Sequence, residues 1–198
     1  MAYNNQDGLV DLFDGEKDLE NGLIRCVGDA QMRFQEDALR MMRAIRFSAQ
    51  LNFSMDQSVK AAILSLAKNL KKVSAERIQA ELMKILESDY PERIAELYHT
   101  GLLIQFWPEL SQRMDEPIQR GAIIGQLRFL KESQLRLALL FFGKNGGKED
   151  AVRSEKILRR MKFDNETIRK VKQLSFWHLV RPQLQAPFFR KMMCEGGA

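Results

Sequence analysis

The chain is poor in the residues on which covalent reinforcement and metal chemistry usually depend. Two cysteines in 198 residues, Cys26 and Cys194, are too few for a disulfide framework. They read as structural thiols suited to a reducing compartment, so a cytoplasmic location is expected. His99 and His178, the two histidines, lack His or Cys partners at ligand spacing, and no protein zinc site is expected. No run of eighteen or more apolar residues occurs, and nothing suggests membrane insertion or secretion. Asp-x-Asp is missing from the N-terminal region. The Gly-Gly pairs, Gly146-Gly147 and Gly196-Gly197, have no strand-to-helix context that would make a phosphate cradle.

What is present is a helix-rich text that is 45% apolar and 29% charged, enough for one sizeable core or two small ones. The net charge of +5 is unevenly placed. Residues 1–150 carry 20 Lys and Arg against 22 Asp and Glu, whereas residues 151–198 carry 11 against 4. Such a basic segment is either a solvated surface or a phosphate-backbone contact.

Residues 1–30 read as a strand and loop, with Val10, Leu12 and Phe13 apolar and Asp14-Gly15 a turn signal. This piece is expected to be poorly anchored, with an exposed edge. The remainder has helical periodicity. A helix is expected from about Gln35 to Leu51, with Ala38, Met41, Met42, Ile45 and Ala49 on one apolar stripe. Arg33, Glu36, Asp37 and Arg40 gather opposite, with Asp37 and Arg40 three apart on one face. Asp56 is a candidate N-cap for a helix ending near Leu70, and Ser74 for one over Ala75–Glu87. Pro91 suits a first turn and Gly101 a helix end. Further helices are expected at about 117–130, 133–142, 150–161, 165–178 and 184–194, with the Gly-rich stretch 143–148 as the internal boundary.

An acidic and basic helix face is most often solvated, held by weak pairs. Its surroundings give this one a second reading. Met1-Ala-Tyr-Asn4 resembles the end of an "RRDFTINAMAYN" segment, and Leu9 to Leu19 a "DxxxGxxDL" segment. Arg33-Phe-Gln-Glu-Asp-Ala-Leu-Arg40 matches "RFxEDxxR". Val73 to Leu86 matches "VSxERIxxELxKIL", and Gly101 to Leu110 fits "GLL…PEL". In this order, over residues 1–110, they resemble the tRNA nucleotidyltransferase and poly(A) polymerase family in its bacterial, class II CCA-adding form.

The resemblance implies a mainly all-α fold: a remnant of a nucleotidyltransferase head domain over 1–30, a helical neck over 31–112, and a basic, tRNA-binding body over 113–198. The head itself, where the family keeps a "GGxVRD" loop and the "DxD" carboxylates for Mg²⁺ and triphosphate, has no counterpart here. The chain therefore reads as a fragment without catalytic or metal-binding residues of its own. By the same resemblance Asp37 and Arg40 read the base edge of incoming CTP or ATP, and Arg33 and Arg43 contact phosphate, ribose or neighbouring side chains. Glu36, Arg77 and Glu81 brace that pair, a plain i,i+4 ion pair being the alternative for Arg77 and Glu81. Asp11, Gly15 and Asp18 belong to a flexible segment, a simple turn being the alternative.

The implied activity is addition of C, C and A to tRNA 3′ ends without a nucleic-acid template, with Mg²⁺ supplied by the full enzyme and the tRNA acceptor arm as partner. Poly(A) polymerase activity, a non-catalytic helical RNA-binding module and a plain helical scaffold stay open beside it. Leu139 to Lys144 stands where some relatives carry "LLHDIGK"; aromatics replace its His and Asp, so that metal chemistry is not expected. Phe176-Trp177-His178 is either core or a base-stacking group.

Overall fold

A computed structural model describes residues 2–5, 8–143 and 147–178. The expected helix at 184–194 and Cys194 lie outside the described residues. The described chain is mainly helical, as expected, with short two-stranded pairings. It divides into two compact units, residues 1–120 and 121–198. The Gly-rich stretch at 143–148 therefore falls inside the second unit.

The first unit opens with β1 (Ala2–Asn4) and β2 (Gly8–Val10), an antiparallel pair in the register Ala2↔Val10. A short helix α1 (Gly15–Glu20) and the strand β3 (Leu23–Ile24) follow. The latter pairs in parallel with β4 (Ser54–Met55), so the 22–25 stretch is tied down rather than loose. The Ser54 amide donates to Gly22 O at 2.8 Å and the Asp56 amide to Ile24 O at 2.9 Å. Val10, Leu12, Phe13 and Leu19 are exposed.

The expected continuous helix over 35–51 is two helices. α2 (Ala30–Glu36) starts at Asp29, whose carboxylate caps the Met32 amide at 2.8 Å. α3 (Leu39–Leu51) begins after a break at Asp37, which is extended at φ −144°, ψ 105°. The reason is local: Asp37 Oδ1 accepts from the Leu39 amide two residues on, at 3.0 Å, and this Asx-type bond competes with helical continuation. The apolar stripe survives the break, with Ala38, Met41, Met42, Ile45 and Ala49 all buried.

Helix α4 (Gln57–Leu66) is capped by Asp56, which accepts from the Ser58 amide at 2.8 Å, and continues as a 3₁₀ segment over Ala67–Lys72. α5 (Ala75–Glu87) has the expected bounds, although the Ser74 side chain makes no cap bond. Its Ile78, Leu82, Ile85 and Leu86 are buried, and α5 packs along α3 while α2 packs on α4. Pro91 opens a 3₁₀ turn, Pro91–Ile94, before α6 (Ala95–His99), after which Gly101 takes φ +70°. α7 (Leu103–Phe106) and α8 (Pro108–Met114) close the unit around the fully buried Trp107 and Leu110.

α9 (Pro117–Leu127) leads into the second unit, which comprises α10 (Ser133–Leu139), α11 (Gly147–Arg160) and α12 (Asn165–Trp177). α11 packs along α12 over Ile157, Leu158, Ile168 and Val171, all buried. In the Leu139–Gly143 stretch, a Cβ at Gly143 would stand 2.6 Å from Asp150 Oδ1, so a larger residue there would displace that side chain. Asp150 accepts from the Gly143 amide and from Arg153, and His178 stacks on Phe142 at 4.2 Å while facing Gly143 O at 3.1 Å. Gly143, Asp150, Arg153 and His178 thus form a polar tie between helices.

Candidate functional site

The break between α2 and α3 is what assembles the site. Because the helix stops at Glu36 and restarts at Leu39, the Asp37 side chain leaves the helical path and reaches α5. Arg77 Nη2 donates to Asp37 Oδ2 at 2.9 Å. Both oxygens of Asp37 are therefore held, one by Arg77 and one by the Leu39 amide, with the side chain 31% exposed. Burial pushes against its charged form. The Leu39 amide, Arg77 and the charge of Arg40 outweigh that and hold the carboxyl below its ordinary value.

Arg40 is not on one helix face with Asp37, as periodicity alone predicted, but it stays adjacent. Its amide donates to Asp37 O at 3.1 Å, one turn on. Its guanidinium is held by Glu36, where Oε2 accepts from Arg40 Nη1 at 3.0 Å and from Arg33 Nη1 at 2.8 Å. Glu36 thus clasps two arginines, and Arg40 keeps 33% of its side chain exposed. Arg43 is exposed on α3, one turn beyond Arg40.

Arg77 and Glu81 do not pair as an isolated helix surface would have them; each reaches to another element or position. Arg77 takes Asp37, whereas Glu81 Oε2 lies 3.3 Å from Arg46 Nε, with those side chains 8% and 12% exposed. Arg46, which the sequence reading did not single out, also lies over the Phe47 ring at 4.2 Å. The available signal was its position beside Ile45 on the buried side of α3. The α3–α5 interface thus holds an ion pair beneath the Asp37–Arg77 contact.

The segment before α2 is fixed by its own polar groups. Asp11 accepts from the Glu16 amide at 2.8 Å and the Phe13 amide at 3.3 Å, and the Glu16 bond leads in holding its carboxyl low. Asp18 pairs with Arg25 at 2.9 Å, Arg25 also donates to Phe13 O at 3.0 Å, and Gly15 opens α1. These residues line a cleft of about 280 Å³ with Cys26 and Phe53. Burial pushes the Cys26 thiol up, against the pull of Arg33 and Arg40, in keeping with a structural thiol. In the second unit Phe176 and Trp177 meet edge to face at 4.8 Å and, with Arg169, Lys172 and Gln173, line a cleft of about 300 Å³.

Chemically, the first unit presents a fixed carboxylate acceptor next to a fixed guanidinium donor, the pairing needed to read a hydrogen-bonding edge. A family model described as "Probable RNA and SrmB- binding site of polymerase A" matches residues 52–114. A CCA-adding enzyme of Levilactobacillus brevis is 38% identical over 169 residues, covering 85% of this chain and 41% of that protein. The chain thus spans about two fifths of that curated relative's length.

Among solved structures, the Bacillus stearothermophilus CCA-adding enzyme in complex with CTP matches with a TM-score of 0.79 at 24% identity, covering 98% of this chain and 48% of that one. The Thermotoga maritima CCA-adding enzyme complexed with tRNA matches with a TM-score of 0.56 at 20% identity, covering 97% and 46%. At these identities the structural likeness establishes the fold.

Proposed function

The chain belongs to the CCA-adding enzyme and poly(A) polymerase family, and on that premise we propose that it is the nucleotide-selecting and tRNA-binding part of an enzyme that adds C, C and A to tRNA 3′ ends. The observation that carries this reading is the doubly held Asp37 carboxylate beside the Glu36-held Arg40 guanidinium. Cytosine and adenine each offer an exocyclic amine to a carboxylate and a ring acceptor to an arginine. GTP and UTP mismatch that pattern, and each unsatisfied group costs about 1–3 kcal/mol in a dry pocket. Fixed partners matter because a mobile pair would adapt to the wrong edge. Arg33 in α2 and Arg43 in α3, on either side of the break, would meet phosphate or ribose.

Mg²⁺ is the cofactor this activity implies, and the described residues do not fit it. Among them no group of three or more His, Cys, Asp or Glu could hold a metal ion. Glu36 and Asp37 are already taken by arginines. In our reading the metal, the triphosphate and the catalytic step lie with a nucleotidyltransferase head, and this chain supplies base choice and RNA contacts. Asp11, Gly15 and Asp18 would orient that head, and the basic charge beyond residue 150 would meet the tRNA backbone. None of the described helices is long and apolar enough to cross a membrane, and a cytoplasmic site of action belongs to the same reading.

The family model's description favours poly(A) polymerase as the second reading. Joining the chain to the head domain of a relative and supplying tRNA lacking its 3′ end separates the two. Incorporation of C then A supports CCA addition, runs of A support polyadenylation, and no incorporation by a folded fusion rejects both.

A further inference from the structure

The first unit is acidic overall, with 15 Lys and Arg against 19 Asp and Glu over residues 1–120. Its charge is nonetheless segregated. Residues 57–75 contain Lys60, Lys68, Lys71 and Lys72 and no acidic residue. The fold gathers them along one continuous piece, α4 and the 3₁₀ segment that extends it. Ala67 and Leu70 are buried, which turns Lys68, Lys71 and Lys72 outward, all exposed. A 3₁₀ turn holds three residues, so Lys68 and Lys71 stand one above the other. None of the four lysines pairs with a carboxylate among the described residues, whereas Arg33, Arg40, Arg46, Arg77 and Lys84 all do.

We propose that Lys60, Lys68, Lys71 and Lys72 form a phosphate-backbone contact for the RNA that receives the nucleotide. This rests on the RNA reading above and adds a place to it, in the first unit and outside the basic C-terminal region. Unpaired lysines along an acid-free stretch of chain are what a polyphosphate chain matches, and an ammonium contributes charge without reading a base. The stripe lies within the matched segment 52–114. It ends at Lys72, and five residues on stands Arg77, the partner of Asp37. An RNA whose 3′ end is to be extended at Asp37 and Arg40 must bring its last phosphates into this neighbourhood. The nearest acids in sequence, Asp56 at the N-cap of α4 and Glu76 in the first turn of α5, each stand four residues from the stripe at helix N-termini, where the helix dipole favours them.

The test measures binding of the full 198-residue chain to tRNA lacking its 3′ end, between about 50 and 200 mM salt. Replacing all four lysines by glutamine should weaken binding on the order of tenfold or more at the low-salt end. It should also flatten the salt dependence, by about 0.7–0.9 in log–log slope for each phosphate no longer neutralised. Replacing them by arginine should keep both. A glutamine variant with unchanged affinity and slope overturns the stripe while leaving the RNA reading intact, and does so even if the variant loses binding to an acidic polypeptide such as polyglutamate. A wild-type chain with no salt-dependent tRNA binding overturns the RNA reading itself.

Discussion

Asp37 and Arg77, forty residues apart, meet at 2.9 Å because the chain leaves its helix at Asp37. The same carboxylate caps the amide of Leu39, so one side chain both ends the helical run and joins α3 to α5. Its selecting role and its structural role are separable by measurement. In a fusion carrying a head domain, Arg77→Ala should relax the preference for CTP and ATP over GTP and UTP while changing stability little. Exposed pairs of this kind contribute about 0.2–1 kcal/mol. Equal incorporation profiles for variant and parent would remove Arg77 from the brace, and the same comparison with Asp37→Ala or Arg40→Ala would remove the selecting pair.

Glu36 should behave differently from Asp37. It clasps Arg33 and Arg40 on the surface, so Glu36→Gln should leave thermal unfolding within about 1 kcal/mol of the parent. Released from the clasp, Arg40 should sample more rotamers. The expected signature is a raised KM for CTP and ATP with binding of tRNA unchanged. Unchanged KM values would show that Arg40 is held without Glu36.

The Arg46–Glu81 pair lies at the α3–α5 interface with both side chains nearly covered. Removing one partner strands the other charge, so Glu81→Ala should cost about 3–5 kcal/mol in urea unfolding. Replacing both by apolar residues of similar volume should recover much of that loss, because a covered ion pair gains little over good packing. A single-variant cost below about 1 kcal/mol would show that water reaches the pair.

The caps of α4 and α12 carry a pH dependence whose sign is fixed. Asp56 is held below its ordinary value of 3.8 by the Ser58 hydroxyl and then the Ser58 amide. Asp164 is held low by the Thr167 amide at 2.8 Å and then its hydroxyl. A carboxylate lower in the folded than in the unfolded state stabilises the fold above the unfolded value, and the contribution fades as pH falls through the folded one. Asp56→Ala and Asp164→Ala should each cost about 0.5–2 kcal/mol at neutral pH. That difference from the parent should shrink below pH 3.8. Asn at either position should retain much of the cap without the pH dependence.

Much of this protein is local and was therefore legible in the sequence. The buried stripe of α3, the bounds of α5, the Asp56 cap and the turn at Gly101 follow from periodicity and from what single side chains do to their own backbone. The motif order over residues 1–110 likewise identified the family. Tertiary structure decided what periodicity cannot express. An i,i+3 rule placed Asp37 and Arg40 on one continuous face, but a short aspartate beside a helix can trade its helical bond for an Asx bond, and here it does. An i,i+4 rule offered an Arg77–Glu81 pair, but once α5 lies along α3, Arg77 meets Asp37 in the break before α3 at 2.9 Å and Glu81 meets Arg46 on α3 at 3.3 Å. Sequence spacing sets which residues share an element; the direction in which two elements pack sets which charges meet.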